Sequence, residues 1–323
     1  MKRVIIQRLM TLPFLLLGIS LLTFVLMTFT PGSYLDNLKM QRDIKPELIE
    51  AQKKQFGLDK PWWQQYFIWL KNVLQLNWGE SYKYRIPVTQ LIAQRLPATF
   101  LLSLTSTIFA LLIAVPLGVL AAMYKDSIFD RITGLLAFLA LSVPEFFLAL
   151  LGLYVVAQTG WLPTGGLTSI EHEFLPWTGK ILDIGHHLIM PTIVLGLSGA
   201  AGMMRIMRAN FLDAIRAEFV ITARAKGLPE MKVMFKHVLP NAINPLISSL
   251  GFIFAGLLSG SVLVENILNY PGLGRLTFEA FMSKDQFVVL ASVMMGSCML
   301  ILGNLISDVL LAWSDPRIRA AYR

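Results

Sequence analysis

Charge is what this chain is short of. Only 15% of its 323 residues are Asp, Glu, Lys or Arg, where soluble domains carry about 25%, so an ordinary water-facing surface is excluded. Cysteine is nearly missing: Cys298 stands alone, no intramolecular disulfide can form, and cysteine usage says nothing about redox compartment. There is no Gly-x-x-x-x-Gly-Lys-Ser/Thr phosphate loop, which excludes ATP binding by that route. Neither a nucleophile–base arrangement nor a zinc-protease motif is found, so no catalytic residue is assigned and no enzyme is expected. His186 and His187 are adjacent, diverge on a helix and lack a third ligand, so no metal site is assigned. A low-complexity tract and an internal repeat of fixed period are also missing. The second absence counts against a self-sufficient transporter that holds both halves of its own pathway.

What is present is long apolar runs. Hydrophobic residues make up 55% of the chain, and a membrane-spanning helix needs roughly 20 of them in succession. Six stretches qualify, near Leu9–Thr30, Ala98–Met123, Ile132–Gln158, His187–Met204, Pro245–Leu268 and Phe287–Trp313. The first is too long for a cleavable signal peptide and has no small-residue cleavage site before Pro31, so it is expected to remain as an anchor. The chain is therefore expected to be an all-α integral membrane protein with six transmembrane helices.

Lys and Arg set its orientation. Lys2, Arg3 and Arg8 precede the first run, Lys125 and Arg131 lie after the second, and Arg317, Arg319 and Arg323 end the chain. Between the fourth and fifth runs stand Arg205, Arg208, Arg216, Arg224, Lys226, Lys232 and Lys236. The shorter loops of the other side offer only Lys180, Arg275 and Lys284. Both termini are thus expected in the cytoplasm. The formal net charge of +8 is explained by this bias, so membrane lipid and not nucleic acid is the expected partner.

Three parts are expected: an N-terminal tail and first helix over 1–30, an external loop subdomain over 31–97, and a five-helix core over 98–323. The external loop holds two predicted helices. One runs from Pro46 to Phe56 and is closed by Gly57; the other is opened by Pro61, with Trp62, Tyr66, Trp69, Leu70, Val73 and Leu74 at helical spacing. That aromatic face suits a membrane interface or a cover over the outer mouth.

The loop over 205–244 carries most information. Asp213–Lys226 has helix-forming composition, Gly227 suits a left-handed helix end, and Pro229 suits the first turn of a second helix. That second helix is expected to reach Val238 and break before Pro240. Small Ala223 and Gly227 at the bend would let another protein approach the backbone closely.

These residues resemble the coupling loop of ABC importer permeases. That family's pattern is Glu-Ala-Ala, three residues, Gly, nine residues, Ile, one residue, Leu-Pro; here it falls on Ile221-Thr222-Ala223, Gly227 and His237-Val238-Leu239-Pro240. Ala223, Gly227, Leu239 and Pro240 match, whereas Ile221, Thr222 and His237 depart; without the Glu, a salt bridge from that position is not available. Thr222-Ala-Arg-Ala-Lys-Gly227 is similar to the form in the dipeptide and oligopeptide (peptide/nickel) branch, and the similarity extends along nearly the whole chain. It includes Phe56-Gly-Leu-Asp-Lys-Pro-Trp62, Arg95-Leu-Pro-Ala-Thr99, Ser142-Val-Pro-Glu-Phe-Phe147, Tyr270-Pro-Gly-Leu-Gly-Arg275 and Ser307-Asp308 with Asp315-Pro-Arg-Ile-Arg319.

The resemblance implies a type I ABC importer permease fold in the bacterial inner membrane. It implies pairing with a second homologous permease, two cytoplasmic ABC ATPase subunits and an external substrate-binding protein. ATP and Mg would be held by the ATPases, with no cofactor in this chain. Thr222, Ala223, Arg224, Lys226, Gly227, Leu239 and Pro240 would form the ATPase-coupling surface. Peptides are the expected substrate; nickel chelates, glutathione or other small solutes are alternatives within the family, and a secondary transporter is the alternative outside it.

Within the membrane, Glu145 follows Pro144 in the third run. An ionisable group at such depth marks a pathway or a partner contact. Two readings stand, a cavity carboxylate selecting cationic or amino-terminal groups and a carboxyl at the membrane edge. Gly256 and Gly260 on the fifth run, with Gly251, leave a flat face for close packing near the pathway, and Gly196, Gly199 and Gly202 do so on the fourth. Glu265 and the Tyr270–Gly274 turn are external gate candidates, and Asn304 and Asp308 are candidates for hydrogen bonds to neighbouring helices.

Overall fold

A computed structural model describes residues 2–32, 34 and 59–314, without the side chains of 2–9, 252–260 and 314. The predicted helix Pro46–Phe56, its closing Gly57 and the tail phrase from Asp315 lie outside the described residues. The described elements are helical: α1 (Lys2–Phe29), α2 (Trp62–Leu74), α3 (Val88–Met123), α4 (Ile128–Ser142), α5 (Glu145–Thr159), α6 (Trp177–Ile215), α7 (Glu218–Ala225), α8 (Asn244–Ile267), α9 (Leu273–Met282) and α10 (Gln286–Ser314). Shorter helical turns fill Glu230–Lys232, Val233–Val238 and Leu239–Ala242.

α1 from Met10, α3, α6 and α10 are each long and apolar enough to cross a membrane. α4 and α5 qualify together, bent by 96°. The sequence led us to expect one uninterrupted span there. Pro144 explains the break: proline has no N–H to donate and pushes the preceding residue out of the helical region, and Val143 is extended at φ −91°, ψ 122°. Among the described residues that makes four spans, or five with the bent pair, against the six expected; α8, with 24 residues, is roughly 36 Å long at the helical rise.

α3 and α6 overrun their predicted spans by the most. α6 has 39 residues, roughly 58 Å at that rise, about twice the ~30 Å hydrocarbon core. α3 has 36 residues and starts at Val88, so Pro97, taken as the end of the external loop, lies inside a helix.

Packing divides the chain into two units. The first comprises Met1–Leu9, Phe100–Tyr270 and Met299–Arg323. In its core the small residues Ala110, Ala114, Ala121 and Ala122 of α3 receive Met203, Met204, Met207 and Phe211 of α6. Gly118 shows how close α3 and α6 run: a Cβ there would lie 2.8 Å from the Met204 carbonyl oxygen and from Met207 Cβ. Of the three glycines singled out on α6, Gly196 is pressed against Phe109, Gly199 has ordinary clearance and Gly202 faces open space. Gly251 of α8 lies against the Asn304 backbone, where a Cβ would approach to 2.7 Å, and Ser307 Oγ donates to the Ile247 carbonyl at 2.5 Å. Close packing of α8 on α10 therefore accounts for Gly251.

The second unit comprises Met10–Thr99 and Pro271–Cys298. In α2, Tyr66 and Trp69 are buried against Phe24, Leu290 and Met294. Trp62, Trp63, Phe67 and Ile68 remain exposed. The aromatic helix thus has an inward face that staples it to the unit and an outward face free for lipid or protein. Asp285 accepts from Ser81 Oγ at 2.5 Å and from the Lys83 N–H at 3.1 Å, fixing the 79–88 turn. Glu279 of α9 accepts from Tyr84 Oη and from Arg275 Nε, with Lys83 Nζ at 3.7 Å.

Candidate functional site

The loop between α6 and α8 is built around Gly227. α7 ends in a paired hydrogen-bond pattern: the Gly227 N–H donates to the Arg224 carbonyl at 2.9 Å and the Leu228 N–H to the Ala223 carbonyl at 3.4 Å. This is the Schellman closure, and it places Gly227 at φ +73°, where a Cβ costs about 1–2 kcal/mol. The glycine is required by backbone geometry. Its space is open, so side-chain volume alone would be tolerated.

Arg224 and Glu230 close the hairpin from its two arms. Arg224 Nη2 donates to Glu230 Oε1 at 2.6 Å and its Nε to Oε2 at 3.2 Å, a two-pronged pair. The hydrogen bonds from Arg224 hold the Glu230 carboxyl below its usual range, against an opposing effect of burial. The missing Glu at Ile221 therefore does not leave the loop without an ion pair; the carboxylate comes from the second arm.

The loop differs from expectation in two places. The helix expected from Asp213 to Lys226 is interrupted at Arg216–Ala217, where α6 ends and Ala217 is extended at φ −70°, ψ 149° before α7 starts. The second arm does not break before Pro240. It runs through a π-helical turn, Val233–Val238, directly into Leu239–Ala242. Proline removes one N–H from the ladder, and the widened turn, together with Pro240's place in the first turn of the next element, absorbs that loss.

Beneath the hairpin, Val220, Ala223, Val233, Met234, Val238 and Ala242 join the same core as Met204, Met207 and Phe211 of α6. Val220, Val233, Val238 and Phe211 have no accessible surface. At about 1.5–3 kcal/mol for each fully buried side chain, the hairpin is fastened to the span and cannot slide independently. Thr222, Arg224, Lys226, Gly227 and Pro240 are exposed, Leu239 is half-buried, and Ala223 is a core residue. Ala223 is thus small because it packs inward.

Four large apolar side chains on this loop face outward: Phe219, Ile221, Met231 and Phe235. None of the four was among the coupling-surface residues expected from the sequence. Their signal is apolar residues out of step with the buried Val220–Ala223 and Val233–Met234 positions. Arg224, Lys226, Lys232 and Lys236 are exposed on the same hairpin, so its outer surface combines large apolar and cationic side chains, a composition suited to a protein partner.

The membrane candidates are dispersed. Glu145 opens α5 immediately after the bend and is half-buried. Glu265 is fully buried near the end of α8 and accepts from Ser261 Oγ at 2.9 Å. Gly256 and Gly260 fall in the stretch of α8 whose side chains are not described. The two histidines have separate tasks, His187 Nδ1 lying 2.8 Å from the Asp183 carbonyl oxygen and His186 Nε2 3.2 Å from that of Trp161. Among the described residues no group of three or more potential ligands is placed to hold a metal ion.

Comparison with known families decides what this arrangement is. Residues 114–320 match the binding-protein-dependent transport system inner membrane component, and residues 1–105 match its N-terminal companion. The chain belongs to this family. It is the permease subunit of an ATP-driven importer, located in the inner membrane. The oligopeptide transport system permease protein AppB of Bacillus subtilis is 40% identical over 98% of this chain and 99% of its own length. The dipeptide transport system permease DppB of Escherichia coli K12 is 35% identical over 94% of both chains. The glutathione transport system permease GsiC of the same strain is 35% identical over 99% of both. In structure, this permease resembles a chain of the inward-facing MetNI methionine ABC transporter, with a TM-score of 0.56 over 70% of this chain and 97% of that one. At 16% identity that likeness concerns the fold, and it agrees with the type I permease architecture.

Proposed function

We propose that this permease carries peptides, delivered by an external binding protein, and that the Glu218–Ala242 hairpin couples it to a cytoplasmic ATPase. The observation that carries the second part is the exposure of Phe219, Ile221, Met231 and Phe235 on a hairpin whose other side chains are locked into the α3–α6 core. An ATPase groove would receive these side chains, and Lys226 and Lys232 would meet acidic side chains around it. ATP-driven closure of two ATPases would then move the hairpin as a rigid body and tilt α6 and α8, because the buried valines do not let the loop lag behind. Hydrolysis would reset the pathway, with ATP and Mg held by the ATPases and none by this chain. A second homologous permease would complete the pathway.

The peptide assignment rests on the oligopeptide and dipeptide systems of its full-length relatives. Glu145 suits it chemically: a half-buried carboxylate at a helix start can pair with a peptide's amino terminus. Affinity purification of the chain in mild detergent tests the assembly. Recovery of a second permease, ATPases and a peptide-loaded binding protein is the expected result. A glutathione- or nickel-loaded binding protein would change the substrate, and recovery of a lone chain with transport intact would overturn the coupling assignment.

A further inference from the structure

A cavity of about 650 Å³ opens between α4 and α6, lined by Asp130, Arg131, Gly134, Arg205, Ile206, Arg208 and Ala209. It lies beside the Tyr124–Ser127 turn, which the distribution of Lys and Arg places in the cytoplasm. Its three arginines are not equivalent. Arg208 is committed, with Nε 2.6 Å from Asp130 Oδ1 and Nη2 2.7 Å from Oδ2. Asp130 also accepts from the Asp126 N–H at 2.9 Å, so its oxygens are occupied. Arg131 and Arg205 are exposed and have no ion pair among the described residues. The cavity thus holds two guanidinium groups in excess of its one carboxylate.

The other half of the lining is apolar or small: Gly134, Ile206 and Ala209. From the cavity toward the membrane interior, α4 exposes Leu135, Leu136 and Leu139, and Ile132 beside them. Cations at the mouth with an uncovered apolar strip leading into the bilayer match one amphiphile. We propose that this cavity binds the phosphodiester headgroup of an anionic phospholipid of the cytoplasmic leaflet. Arg131 and Arg205 grip the phosphate oxygens through their planar donor forks, and the acyl chains lie along α4. The Asp130–Arg208 pair forms the floor and keeps α4 and α6 at a fixed spacing. A basic pocket between spanning helices on the cytoplasmic side is a favourable place for such a headgroup. A bound lipid would brace α6, the helix that leads into the coupling hairpin.

The test uses the full chain with its co-purifying subunits, reconstituted in phosphatidylcholine nanodiscs doped with phosphatidylglycerol or cardiolipin, and counts retained lipid by native mass spectrometry. The R131Q/R205Q variant leaves the Asp130–Arg208 pair intact; R131K/R205K, which keeps the charge, serves as the control for folding. Retention of the anionic lipid should fall about tenfold or more in R131Q/R205Q and persist in R131K/R205K. Inorganic phosphate alone should show no saturable binding. Equal retention in wild type and R131Q/R205Q overturns the proposal. So does binding of inorganic phosphate that the same variant abolishes, which would mark a free-anion site. Loss of ATPase subunits with lipid unchanged would also overturn it, making the cavity a protein contact.

Discussion

Arg224 and Glu230 stand on opposite arms of the coupling hairpin and join across Gly227, with Arg224 Nη2 2.6 Å from Glu230 Oε1. The pair is exposed, 43% and 57% by side chain, so its effect on stability is small, about 0.2–1 kcal/mol. Its role is to hold the hairpin's shape for a partner. R224E and E230R should each lower ATP-driven uptake while leaving the melting temperature nearly unchanged. The R224E/E230R double variant should recover part of the uptake; no recovery would mean that the charges contact the partner directly.

Gly227 makes a sharper demand. At φ +73°, Gly227→Ala introduces strain of about 1–2 kcal/mol, and Gly227→Val more. Membrane insertion should be unaffected, and ATPase co-purification should fall in the order glycine, alanine, valine. Equal recovery from all three would show that hairpin geometry does not matter to docking.

Exposed and buried apolar residues of the hairpin should separate cleanly. Phe235→Ser alters an exposed side chain, so stability should move by no more than about 0.5 kcal/mol while uptake collapses. Phe211→Ala empties a fully buried site and should cost about 3–5 kcal/mol. Thermal melts in detergent beside transport assays check both. A Phe235→Ser protein that transports normally would remove Phe235 from the coupling surface.

Much of this was legible in the sequence, and the remainder was hidden for physical reasons. Gly227 announces itself because few residues tolerate a left-handed backbone, and the spacing of Tyr66 and Trp69 predicts α2 because burial on a helix follows its turn. The bend at Val143–Pro144 was carried by a visible proline, but the apolar run on either side masked it. Asp130 and Arg208 are separated by 78 positions, and nothing local marks them as partners. Phe219 and Phe235 look like core residues in any apolar count. Only the fold shows that Val220 and Val233 have taken the inward places.

Below the glutamate range, acid should loosen the α9 region. Burial raises the pKa of Glu279, but hydrogen bonds from Tyr84 and Arg275 outweigh it and hold the carboxyl below its ordinary value of 4.5. A lowered pKa stabilises the folded arrangement above that value, and the contribution is lost as pH falls through the folded-state pKa. Tyr84, pushed up to about 12 by burial and by Glu279, stays protonated throughout and remains the donor. Hydrogen exchange at residues 80–87 should therefore quicken as pH is lowered below about 4.5 after correction for intrinsic rates, and E279Q should abolish that change. A transition retained in E279Q would assign it to another group.

The most direct test of the central claim is uptake by membrane vesicles holding the complete transporter, with the proton gradient collapsed by a protonophore. The account predicts that uptake continues while ATP is supplied, stops when ATP is withdrawn, and fails in Gly227→Val. Uptake that ends with the proton gradient and proceeds without ATP would contradict it, and would make this chain a secondary transporter.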